Sequence, residues 1–547
     1  MPRHRHLVPI VVTAALACPP ASASAVVVAP DGSGTTAVAV TAEPAGGALL
    51  AWVGSSDGGQ ALRVRERGAD GRYGPTQELL RARAFGDPTV AVGADGAAVV
   101  LVARAPGPTQ SQNQVVALRR PPAGGPFGPP AVVAQATGYA AVLSAASNAS
   151  GDVVAVVTAD RRGTLLSTHT GDAPTTATPL GPVGTAGVAI GDAGRVVVAT
   201  YADGGHDIDV RLGSVGAPLG SPRTLTRLRS RPDLRAAVDA QGTATVAFAR
   251  DLGRTGIGVV AARARADGVF GPLVVLDRGP NAQIADVAAG ATTTAVAWGH
   301  LTSLREPVRV AFARGPGGFD GVQAPGTRTV RLRGEAGRIA SSAGFPVVAV
   351  SPGGDVLLTY PYGPFQAVHA TVRRAGAARF TVPRVVTALG RGGVPTPAFL
   401  SGGKPFVATA DGSAITATAR LDERRLDLRP PGLTTTPLSV GELRSNGSVT
   451  TKVRCSGPCV VQASARITTG TGRPGAPTGQ RISRQFRRSA VLRPTGGTLV
   501  IRFFAPAGVR DAFARTGRAS AKVIVTAANV TGAARTSRRA FDVGRRP

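Results

Sequence analysis

Apolar and polar positions along the chain alternate in short runs, and one run recurs eight times. Its copies end at Gly54, Ala105, Asp160, Asp203, Arg250, His300, Tyr362 and Asp411. Each follows an apolar stretch and a tight turn such as Ala94-Asp95-Gly96, Asp192-Ala193-Gly194 or Gly353-Gly354-Asp355. Asp-Gly and Gly-Gly pairs supply the positive φ of two-residue hairpins, so strand, two-residue turn and strand are predicted in each copy. A third strand alternates, as in Val259 to Arg265 and Val308 to Arg314, which suits one buried face. One column of the second strand holds Trp52, Ala103, Thr158, Tyr201, Phe248, Trp298, Tyr360 and Thr409, at steps of 43 to 62 residues.

A second marker falls in phase with the first, in the turn after the third strand. It reads Gly71-Arg72-Tyr73-Gly74-Pro75, Gly125-Pro126-Phe127-Gly128-Pro129 and Gly268-Val269-Phe270-Gly271-Pro272. Gly318-Phe319-Asp320-Gly321 and Ala378-Arg379-Phe380 are degenerate forms. The ring is expected to fold back over its hairpin, and Pro to start an outer edge strand that need not donate every hydrogen bond. Units of four short strands at a period of about 40–50 residues predict an all-β chain whose main part is a β-propeller over residues 26–430. The count is eight blades, or seven if an end copy is incomplete and the strand from Ala25 to Ala29 closes the ring. On this turn and strand pattern the unit resembles the propeller-type repeats of exported actinobacterial proteins, a resemblance that brings no catalytic residues with it.

Residues 431–437 break the pattern with Pro, Gly and Thr and read as a linker. Strand-like runs at 448–454, 459–467, 498–504 and 520–528 predict a small β-sandwich over 438–547, with a helical turn at 509–515. The stretch from Val453 to Val461, containing Cys455 and Cys459, resembles the Cys-bridged strand of immunoglobulin-like modules appended to such exported proteins. It departs from antibody domains in having no Trp and in cysteines too close in sequence to link two sheets. The resemblance implies a structural or adhesive role.

The N-terminus places Arg3 and Arg5 before an apolar run from Leu7 to Ala17 and small residues through Ala25. That order is a secretory signal over 1–25, too short in its apolar part to span a bilayer. Export as a secreted protein is the expectation; Cys18 after Ala15-Leu16-Ala17 distantly resembles a lipid-attachment box and offers a lipid anchor as the alternative. The formal charge is +30, and 59 of the 62 basic residues are Arg, the bias of a GC-rich genome. Residues 433–547 hold 20 Lys and Arg against 3 Asp and Glu. A field of that sign attracts acidic polymers. A solvated, Arg-rich surface is the plainer reading.

In a four-stranded blade the loops joining second and third strands share one face of the disc, and variable polar loops on a rigid scaffold are where ligands are usually taken. The ligand-binding candidates are His206, Asp207, His300, Glu306 and Tyr362, with Arg161, Arg162, Gln110, Asn113, Arg305 and Phe365 in the same set of loops. Each has a plainer reading. The stretch Asp203 to Asp209 lacks the spacing of a cation loop and reads as a solvated turn. His300 and Glu306 are an acid–base-capable pair, but no spacing puts them within reach of each other. The aromatic column reads as inter-blade packing rather than a sugar-stacking set.

No nucleophile elbow, His-Glu-x-x-His or phosphate loop stands in a suitable setting, and no cofactor or metal is implied. Ser351-Pro352-Gly353-Gly354-Asp355 does not match the boxes of sialidase-like propellers. The reading is an exported, non-enzymatic binding or scaffold propeller whose partner is an envelope glycan or a protein. An extracellular polysaccharide hydrolase or lyase, and a purely structural envelope protein, are the alternatives.

Export would leave Cys455 and Cys459 as the remaining pair in an oxidising compartment. No His follows His369 to complete a zinc site with them. They are expected to be disulfide-bonded. Intact mass of non-reduced, alkylated protein should show neither thiol modified, and reduction should cost about 2 kcal/mol, because the loop is short. Two freely alkylated thiols would contradict the pairing.

Overall fold

A computed structural model describes residues 26–29, 37–107, 112–122, 124–169, 176–202, 204–253, 256–265, 267–279, 282–300, 308–325, 346–362, 367–387, 395–410, 415–419, 432–435, 448–456, 459–469, 482–493, 497–504, 518–528 and 534–544. Eight antiparallel sheets follow one another along the first part of the chain, one for each repeat. In the fourth, strands Thr185–Ile190, Arg195–Tyr201, Asp207–Ser214 and Arg223–Arg227 lie side by side in chain order, and most of the others repeat this arrangement. The protein is an eight-bladed β-propeller. No helix among the described residues is long and apolar enough to cross a membrane.

The first strand of each blade packs beside the first strand of the next, so these strands line the axis. The recurring apolar run is the second strand, sandwiched between neighbouring blades; in Thr293–His300 every residue is buried. All eight members of the aromatic column are buried, from Phe248, Trp298 and Tyr360 at 0 % exposure to Thr158 and Tyr201 at 6 %. Trp52 packs with Phe406 and Ala408 of the last blade, and Phe248 with Tyr201 and Ala199 of the blade before it. Inter-blade packing, not sugar stacking, accounts for the column.

Closure uses the N-terminal strand. Val26–Ala29 pairs antiparallel with Ile415–Thr418 and completes the last sheet, outside Lys404–Ala410 and Pro395–Leu400. The count of eight holds; the strand that the alternative of seven used to close the ring closes one of eight.

The hairpins differ from the two-residue turns expected. Gly96 N–H donates to Gly93 O at 3.0 Å while Gly93 N–H donates to Ala97 O at 2.8 Å, leaving three residues in the loop. The same pattern recurs at Asn148–Asp152, Gly191–Arg195, Asp239–Thr243 and Ser351–Asp355. The third loop residue is a left-handed glycine each time, such as Gly96 (φ 82°) or Gly354 (φ 86°). This is the three-residue connection that ends in a left-handed bulge, so one positive φ suffices where a two-residue turn needs two.

The second marker does more than fold over its own hairpin. Gly74, Gly128 and Gly271, just after the ring, and Gly220, after Leu219 in the same place, donate to third-strand carbonyls at 2.7–3.0 Å. The ring itself joins the cluster shared with the preceding blade: Tyr73 packs with the last blade, Phe127 with the first, Phe270 with the fourth, Phe319 with the fifth and Phe380 with the sixth.

The C-terminal part forms two antiparallel sheets. One holds Leu433–Thr435, Ser448–Cys455 and Gly497–Phe504; the other holds Ile482–Arg493, Cys459–Thr469, Arg518–Ala528 and Ala534–Gly544. Thr435 Oγ1 lies 2.9 Å from Ser537 Oγ, joining the two. Residues 433–435, read as linker from the sequence, pair with 453–455 as a strand. The leader 1–25 and the helical turn at 509–515 lie outside the described residues.

Val28 is 1 % exposed in the closing strand. Removing residues 26–29 strips one buried edge and exposes the strand ending at Thr418, a loss of about 3 kcal/mol. Thermal unfolding of the shortened chain should begin well below that of the parent; an unchanged midpoint would mean that the ring does not depend on this strand.

Candidate functional site

The loops after the second strands and the connections between blades share one face. His206 is exposed there, its Nδ1 3.2 Å from Leu228 O, while Leu228 N–H donates to His206 O at 2.6 Å. Asp207 accepts from Arg227 Nε at 2.7 Å across the third and fourth strands, and Asp209 accepts from Thr224 Oγ1 at 2.7 Å. Both carboxylates are engaged within their own sheet. Tyr362 ends the strand Val356–Tyr362 opposite Ala367. Glu306, Arg305, Phe365 and Gln110 lie outside the described residues, as does the side chain of Tyr362.

His300 is placed differently from expectation. It is 4 % exposed, inside the interface between the fifth and sixth blades rather than on the rim. Its Nε2 lies 2.5 Å from Asp277 Oδ2, and the same oxygen accepts from Trp298 Nε1 at 2.6 Å and Arg309 Nη1 at 3.3 Å. Asp277 Oδ1 accepts from Gly279 N–H at 2.7 Å. Asp277 ends the outer strand Val274–Asp277 of one blade, whereas Trp298, His300 and Arg309 belong to the next, so the cluster ties blade to blade. Burial alone would push the Asp277 carboxyl up. The hydrogen bonds from His300, Gly279 and Trp298 outweigh it and hold the group well below the usual carboxylate range. A carboxylate so fully committed is a latch, and His300 with it is unavailable as a rim acid or base.

The third blade presents a second arrangement that the sequence did not single out. Asp160 accepts from Thr137 N–H and Oγ1, both at 2.8 Å, and from the N–H groups of Gly138 and Tyr139 at 2.9 and 3.2 Å. These backbone and side-chain donors lower its carboxyl to about 2. Asp160 (φ 49°) and Arg161 (φ 68°) are the two non-glycine residues with positive φ among the described residues. Such a turn carries strain, and here the Asp160 hydrogen bonds hold it. The result displays Tyr139, 55 % exposed, beside Arg161 and Arg162, with His206, Arg227 and Arg229 exposed on the following blade. Tyr139 falls outside the second-to-third-strand loops and outside the repeat columns, which is why the pattern passed over it.

Two inner strands carry a bulge, between Val142 and Ser144 and between Ile284 and Asp286. The polar residue after each bulge reaches the next blade: Val188 N–H donates to Ser144 Oγ at 3.1 Å, and Val348 N–H to Asp286 Oδ2 at 3.0 Å. Burial pushes the Asp286 carboxyl up to about 6, against the pull of the Val348 N–H and of Arg235. It therefore opposes folding increasingly as pH rises from about 4 towards 6, the reverse of Asp277.

No family model matches the chain, and no curated protein matches it. Among solved structures, a prolyl endopeptidase is similar with a TM-score of 0.39 and 17 % identity over 68 % of this chain, which spans about half (54 %) of that protein. A polysaccharide lyase described as an ulvan lyase is similar with a TM-score of 0.38 and 11 % identity, over 72 % of this chain and 95 % of that one. A lectin from Aleuria aurantia, in complex with α-methyl-L-fucoside, gives 0.35 and 10 %, over 65 % and 97 %. At these values none lends this chain an activity.

Asp277→Asn should lower stability by about 3 kcal/mol at neutral pH, since it breaks a buried charge cluster. Because folding depresses the carboxyl pKa, that contribution is present above the unfolded value near 4 and is lost as pH falls below it. The gap between variant and parent in urea unfolding should thus narrow on acidification. A gap that stays constant from neutral to acid pH would rule out the charged latch.

Proposed function

We propose that the protein is an exported binding propeller that takes an acidic glycan on the loop face of its third and fourth blades. The observation that carries this reading is the exposed Tyr139 ring, held by the strained Asp160–Arg161 turn and bordered by guanidinium groups. Arg161, Arg162 and Arg229 are exposed, whereas the nearby carboxylates of Asp160 and Asp207 are spent on hydrogen bonds within the fold. An aromatic face stacks on the apolar face of a sugar ring, and exposed guanidinium groups favour carboxylate or sulfate groups. Of the candidates read from the sequence, His206 and Asp207 stay with this patch; Glu306 and Tyr362 belong to the sixth and seventh repeats and are not part of it, and His300 serves the latch between the fifth and sixth blades.

Residues 438–547 serve in this reading as an immunoglobulin-like module that adds to the attraction for acidic polymer. The Cys455–Cys459 pair would close its strand turn; Cys455 is buried and ends one strand, and Cys459 opens another.

Tyr139→Ala and Arg229→Glu should each weaken binding of an acidic polysaccharide about fivefold to tenfold in calorimetry, with unchanged thermal stability. Asp95→Ala and Asp192→Ala, on the opposite hairpins, should bind as the parent does. If the hairpin variants lose binding while folded and the Tyr139 and Arg229 variants do not, the face is wrong.

A further inference from the structure

A cleft of about 370 Å³ opens on the other face, between the fifth and sixth blades. Its walls are the third-to-fourth-strand turns of both blades, the region of the Gly-aromatic-Gly-Pro marker. Phe319 is half-buried at its base, with the Arg263 guanidinium 5.8 Å from the ring centroid. Arg263 is pinned there by Gly315 O at 2.6 Å, by Gly317 O and by the buried Asp239 at 3.8 Å. Its position is set by the fold, and its charge is answered from behind.

Two features of this cleft are unexplained by folding. Val269 and Val274 face solvent at 55 % and 40 % exposure, on opposite arms of the same turn. Arg265 is exposed at the mouth and makes no ion pair among the described residues, while Asp267 gives one carboxylate oxygen to the Val269 N–H at 3.0 Å. Apolar walls with an aromatic base and one unanswered cation are complementary to a body of matching polarity. The volume is at the small end of ligand sites and suits one or two rings.

We propose that this cleft binds a small carboxylate with a flat apolar body, the body against Phe319 and the two valines and the carboxylate on Arg265. The site is independent of the loop face and stands or falls without it.

Calorimetry or ligand-observed NMR on the full chain, with naphthoate as the probe, tests it. Naphthoate should bind more tightly than naphthol, and naphthol more tightly than naphthylmethylammonium. Arg265→Glu should weaken naphthoate about tenfold, the loss of one charge-assisted contact. Gly318 lines the cleft and a Cβ there meets nothing within 4 Å, so Gly318→Leu adds bulk at the cleft without a clash and should weaken naphthoate binding at an unchanged melting temperature. No binding of naphthoate, equal binding of the ammonium compound, or parent-like binding by both variants would each overturn the proposal.

Discussion

No single blade of this protein is a stable object. Each sheet has two apolar faces, and only a neighbour on either side covers both, so the energetic unit is the closed ring. Closure therefore governs everything else: the burial of Trp52 against Phe406, the alignment of first strands along the axis, and the fixed spacing of the loops all presuppose it. The strand Val26–Ala29 meets this requirement by joining the beginning of the propeller to its end within one sheet.

Between blades, apolar packing is supplemented by arginines that cross the interface on the hairpin face. Arg120, 3 % exposed, donates to Glu66 at 2.5 Å, to Glu43 at 3.0 Å and to Gly96 O at 2.8 Å, all through its two terminal nitrogens. Arg263 plays the same part three blades further on. The planar guanidinium, with its fixed fork of donors, joins a carboxylate on one blade to a backbone carbonyl on its neighbour. On the loop face, Asp277 performs the corresponding task with an acceptor instead of a donor. Such ties keep the scaffold rigid while the outer loops vary in sequence.

The architecture was legible because a propeller repeats its constraints. A second strand covered on both faces must be largely apolar, and that demand wrote much the same run eight times. The Gly-aromatic-Gly-Pro turn was legible as a marker, but its role was not: that Phe319 packs against the blade before it depends on a neighbour about fifty residues upstream. His300 was misplaced for the same reason. By local pattern it ends a strand at the start of a polar loop, and only the arrival of Asp277 from the preceding blade draws it inside. Tyr139 escaped notice because it sits in a connection between blades, where no column repeats. The hairpin length was missed because Asp-Gly satisfies both a two-residue turn and a three-residue turn ending in a left-handed glycine.

The closing strand also determines how the ring responds to force. Val26 lies opposite Ala417, so the chain enters the last sheet at the same end from which it departs toward the C-terminal sheets. Tension applied across these two points does not shear the pair along its length. It separates the hydrogen bonds one after another from that end, as a zipper opens. The joint that makes the propeller cooperative against heat is thus its weakest element against pulling, and a protein tethered at both ends would open its ring there first.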